Sequence, residues 1–108
     1  MMDVGPLDSL DLMGARKDGG IDLVIVTVGK FQGTSEEQKN LLNKIQNYLN
    51  YISSKEFMKE FGKPLKERVE IKLKLESEPN PIIYQLEKKI VPWVEGFNAS
   101  FTIEIEKK

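Results

Sequence analysis

Neither histidine nor cysteine occurs in the 108 residues of this chain, so two of the commonest nucleophile, base and metal-ligand side chains are missing together. No disulfide framework and no thiolate metal site can be built from it. Long apolar runs are missing too. None approaches the roughly 20 residues that span a bilayer, and Met1 to Leu10 lacks the basic and apolar regions of a leader. The chain therefore reads as soluble and cytoplasmic. Nor is there an excess of one charge: 16 basic and 17 acidic side chains give a formal net charge of −1. No whole-molecule field draws the protein to nucleic acid or to an anionic membrane, and neither is expected as a partner. A chain of this length supports one shared core, so residues 1–108 are read as a single domain whose first six residues are flexible.

What is present is clear periodicity. Leu7 to Met13 alternates roughly, Lys17-Asp18-Gly19-Gly20 supplies turn residues, and Ile21 to Val28 is almost wholly apolar and β-branched. Together they predict a hairpin over Leu7 to Val28 whose second strand lies inside a sheet. Thr34-Ser35-Glu36-Glu37 fits a capping box. Leu41, Leu42, Ile45, Tyr48, Leu49 and Ile52 then share one face of a helix, and a break near Ser53-Ser54 is needed to turn Phe57 and Phe61 inward. Ser53 with Glu56 is expected to start that second piece, which Gly62 and Pro64 end. Val69, Ile71, Leu73 and Leu75 alternate with charged residues as a strand with one wet face. Asn80-Pro81 predicts a helix start with proline at the first position, Pro92 an interruption by a kink or a fresh turn, and Gly96 a stop. Phe101, Ile103 and Ile105 form a last half-wet strand.

The order is ββαβαβ. Right-handed crossovers would place both main helices on one side, giving a two-layer α+β domain on a four-stranded mixed sheet. Strand order 1-2-3-4 makes the apolar second strand internal, and sets Lys72 and Lys74 beside Glu104 and Glu106 on the open face.

Without histidine or cysteine, catalysis would fall to carboxylates, lysines, hydroxyls or tyrosine, and no motif singles any of them out. Asp11, Asp18 and Asp22 could offer oxygen ligands to a hard cation, but turn aspartates ordinarily bond their own backbone; no metal site and no cofactor is expected. Glu76 and Glu78 read as a solvated loop ahead of a helix dipole more than as an acid/base pair. The glycines match neither phosphate-loop pattern. Lys30, Thr34 and Ser35, at a helix start, are the nearest approach to an anion site, opposed by Glu36 and Glu37. The basic run from Lys55 to Arg68 is interleaved with glutamates, as on a solvated face. One surface remains. Val24, Val26 and Val28 point to the uncovered side of the internal strand, near Met13, and lysines and glutamates border them as a rim borders a contact site.

The segments LDSLDLMG, IDLVIVTVGK and SEEQKNLLNKIQNYLNYI, followed by a charged strand and a last helix-strand pair, resemble a small bacterial family of single-domain proteins of unknown function. Gln38, Leu41, Leu42, Lys44, Ile45, Tyr48 and Leu49 carry the helical part of that resemblance. It implies a domain of that family and adds no mechanism. The reading leans away from an enzyme. It favours a protein-interaction domain acting through the open face, as an accessory or immunity-type protein or a weak homodimer. The alternative is a small-ligand or anion binder, or a carboxylate-based enzyme.

Overall fold

In the computed structural model, which describes residues 1–7 and 10–106, the chain forms β1 (Leu12–Ala15), β2 (Ile21–Val26), α1 (Ser35–Ile52), α2 (Lys55–Phe61), β3 (Val69–Leu75), α3 (Ile82–Glu95) and β4 (Ser100–Ile105). The sheet order is β1-β2-β3-β4. β1 and β2 are antiparallel, while β2/β3 and β3/β4 are parallel. This is the expected α+β arrangement in ββαβαβ order. On one face of the sheet, Leu23, Ile25, Ile71 and Leu73 are buried with Leu41, Ile45 and Leu49 of α1 and Ile83 and Ile90 of α3 in one core.

Local chemistry sets the element ends. The hairpin turns where Gly19 takes a positive φ of 87° and the Asp18 carboxylate accepts the Gly20 N–H at 2.8 Å, a conformation in which glycine carries no Cβ penalty. β1 is shorter than the expected strand. Of that strand, Asp8 and Ser9 lie outside the described residues. At the start of α1, the Thr34 hydroxyl accepts the Glu37 N–H, and the Glu37 carboxylate accepts the Thr34 N–H at 2.9 Å. The predicted break follows α1, with Ser54 in place of Ser53 as the cap that accepts the Phe57 N–H. Phe57 is buried edge-on against Tyr51, and Phe61 packs half-buried beside it.

The last helix ends at Gly96 as expected, but departs from expectation at its start and at Pro92. Pro81 stands one residue before α3, and the Asn80 side chain accepts the Ile82 N–H. Pro92 does not interrupt the helix, which continues to Glu95; so near the end, a proline removes only the bond to the Lys88 carbonyl. The chain then turns into β4 through Asn98, in the left-handed region with φ 62°.

Met1 to Pro6, expected to be flexible, are tied to the core. Asp3 and Val28 exchange main-chain hydrogen bonds of 2.8 and 3.0 Å, and Met2 and Val4 are buried. Gly29 makes room for this strap: a Cβ there would stand 2.6 Å from the Met1 carbonyl oxygen.

Candidate functional site

The uncovered face of the sheet can be laid out row by row from its register. Leu12, Val24, Lys72 and Thr102 form one row, with Val26, Lys74 and Glu104 in the next. Beyond them, Val28, Glu76 and Glu106 complete a shallow depression of about 370 Å³. Its β1/β2 side is apolar and its β3/β4 side charged. Leu12, Val26 and Val28 are 58, 45 and 64% exposed, and Val24 is half-buried.

Met13 does not belong to this surface. It pairs with Leu23 and approaches the Tyr51 hydroxyl with its sulfur, which places it on the helix side. Its neighbour Leu12 pairs with Val24 and supplies the apolar side chain on the open face. Because strand side chains alternate, a shift of one residue in register exchanges the faces. Lys74 lies beside Glu104 as expected, but Lys72 lies beside Thr102 and reaches Asp22 at 3.6 Å instead of a glutamate of β4. The turn end of the face is closed by Arg16, whose guanidinium lies 3.5 Å from Asp22, 3.6 Å from Asp18 and 3.8 Å from Glu70, and donates to the Arg68 carbonyl at 3.0 Å. The three aspartates weighed as cation ligands are thus matched by bases: Asp18 and Asp22 by Arg16, and Asp11 by Lys44.

At the start of α1, the position considered for an anion is taken by the protein's own carboxylate. Glu37 is 1% exposed. It accepts the N–H groups of Met2, Gln32 and Thr34 and the Thr34 hydroxyl. Burial alone pushes its pKa up, but these donors together outweigh burial and hold it down at about 2. Lys30 and Ser35 are exposed beside it, and Thr34 is engaged through both its N–H and its hydroxyl.

A second polar centre went unread in the sequence. Lys44, on the apolar side of α1, has no exposed surface. Its ammonium donates to the Val4 carbonyl at 2.9 Å, the Pro6 carbonyl at 2.7 Å and the Asp11 carboxylate at 2.7 Å. The other Asp11 oxygen accepts the Val26 N–H, and the Asp11 N–H donates to the Tyr48 hydroxyl, which itself donates to the Val24 carbonyl. The Tyr48 phenol is raised to about 12 by burial first and by the nearby Asp11 charge second. The sequence did hold a signal. Lys44 lies three residues after Leu41 and four before Tyr48, inside the buried stripe, where a base requires acceptors.

Residues 2–107 match the model of a family of unknown function, DUF6572, and the chain belongs to that family. No curated protein and no solved structure matches it. The positions that carried the helical resemblance are core and anchoring positions: Leu41, Ile45 and Leu49 fill the core, Gln38 donates to the Gly33 carbonyl, and Lys44 and Tyr48 hold the buried network.

Proposed function

We propose that this member of the family is a non-enzymatic protein-interaction domain, working in the cytoplasm as an accessory or immunity-type protein through the open face of its sheet. The observation that carries this reading is the uncovered apolar group Leu12, Val24, Val26 and Val28. Long lysine stems could have shielded it, yet Lys72 turns toward Asp22 and leaves Val26 and Val28 in water. Each valine withdrawn from water contributes on the order of 1.5 kcal/mol, so the group supports a modest affinity once the cost of association is met. The rim selects the partner's chemistry. Glu76, Glu104 and Glu106 outnumber Lys74 at the end where Val26 and Val28 lie, which favours an apolar ridge flanked by basic side chains. A ligand-binding or carboxylate-based enzymatic reading draws less support. Glu37 serves as a cap with its pKa held down, the opposite of what a general acid requires.

The test is Val26→Lys, which leaves the introduced ammonium in water. A protein captured by the wild type, then purified and titrated, should bind the wild type and lose at least tenfold in affinity for the variant. Equal affinity for both would remove the open face as the site, and a collapse of the variant's thermal stability would show that this face belongs to the core.

A further inference from the structure

We infer that the free edge of β4 pairs with the same edge of a second copy, joining two sheets antiparallel about a two-fold axis at Ile103. The junction lies along the edge of the sheet, shares Glu104 and Glu106 with the rim of the open face, and does not depend on that reading. β4 is a terminal strand of the sheet. The Glu106 N–H donates to the Leu75 carbonyl, and parallel pairing alternates, so the main-chain groups of Thr102 and Glu104 also face β3. Those of Phe101, Ile103 and Ile105 therefore point outward along the edge. Natural edges are ordinarily blunted by lysine, proline, a bulge or shortness. β1, at the other edge, has four residues including Gly14. β4 has six residues, with no lysine, proline or glycine among them.

The sequence of β4 is complementary to itself about Ile103. With the axis at Ile103, that residue meets its own copy and Phe101 meets Ile105 of the second copy, apolar against apolar on the helix side. Ile103 and Ile105 are only half-buried in the single chain, so the second copy covers what α3 leaves open. On the wet side, Thr102 meets Glu104 and Ser100 meets Glu106, so each carboxylate faces a hydroxyl-bearing residue. Lys72 flanks Thr102 in its own sheet, and Lys74 flanks Glu104, so each row across the junction alternates lysine, threonine, glutamate and lysine. Moving the axis to Glu104 or Ile105 sets glutamate directly against glutamate, which cross-strand pairing disfavours. Phe101, Ile103 and Ile105 then exchange main-chain hydrogen bonds with the second copy as narrow pairs.

The absence of cysteine makes the test clean. In the full chain, Ile103→Cys places two thiols on the axis, with Cα atoms about 5.5 Å apart, as in a hydrogen-bonded antiparallel pair, within disulfide range. Mild oxidation should cross-link this variant into dimers, whereas Val26→Cys on the open face should stay monomeric. A second variant is independent of core packing: Thr102→Glu, on the wet side, sets glutamate opposite Glu104 twice across the axis. It should weaken the dimer measured by sedimentation about fivefold, while Val26→Lys leaves it unchanged. A wild type that stays monomeric at millimolar concentration, or cross-linking through residue 26 in place of 103, would overturn the proposal.

Discussion

One side of the molecule buries a lysine, and the other leaves valines in water. Lys44 has no exposed surface because two carbonyls of the strap and one carboxylate oxygen surround its ammonium. Val26 and Val28 remain 45 and 64% exposed because α1 and α3 both cover the opposite face and no side chain folds over them. Hydrophobicity alone would have reversed these positions. A side chain's place depends on the company the fold provides: a charge can be buried when every donor finds an acceptor, and an apolar group stays wet when the layer that would cover it is missing.

Breaking the buried side should have the largest effects. Asp11→Ala leaves the ammonium of Lys44 without a counter-charge and the Val26 N–H without its carboxylate, and should cost about 3–5 kcal/mol in urea unfolding. Combining it with Lys44→Met should cost less than the sum of the two single changes, as expected of groups sharing one network. Glu37→Gln comes next. Lowering this carboxylate from 4.5 to about 2 links up to about 3 kcal/mol to its ionised form. That stability is full above the ordinary carboxylate range and is lost as pH falls through about 2, so the acid slope of the wild-type unfolding curve should flatten in the variant. Tyr48→Phe removes one donor and one acceptor and should cost about 1–2 kcal/mol. Because the folded phenol is raised to about 12, its contribution is complete below the ordinary phenol value near 10 and disappears as pH rises toward 12. Absorbance titration of the wild type should show Tyr48 ionising late, with Tyr51 also displaced upward by its burial. The smallest effect on stability belongs to the exposed side: Val26→Lys should change unfolding by less than about 0.5 kcal/mol while abolishing partner binding.

Much of the fold could be read in the sequence because its signals are local. The capping box at Thr34, the phase break before Phe57 and the alternation of Val69 to Leu75 each set an element without reference to distant residues. The internal position of the second strand also followed from its apolar run, whereas the order beyond the first hairpin did not. Two features resisted for a shared reason, in that each depends on something not adjacent in sequence, and a third, Pro92, resisted on local grounds. The face of Met13 depends on register through the turn, and Arg16 fixes that register by bonding its N–H to the Gly20 carbonyl. The anchoring of Met2 and Val4 depends on Val28 and Glu37. Pro92 is tolerated because it lies in the last turn. At the open face, Val24, Val26 and Val28 were placed correctly by alternation, and only the contribution of the neighbouring strand was misassigned.

The buried lysine also bears on how long the native state lasts. Its acceptors lie 40, 38 and 33 residues from it along the chain, so the network closes only when α1 meets the N-terminal segment that carries them. Stripping water from the ammonium before all three acceptors arrive is unfavourable, and long loops add an entropic cost to closure. These bonds should therefore form after the barrier to folding has been crossed and act on escape from the native state. In stopped-flow measurements, Asp11→Ala should steepen the loss of protein with time by accelerating unfolding, while refolding proceeds at nearly the wild-type rate. The strap thus acts as a latch that governs the lifetime of the fold more than the speed with which it is reached.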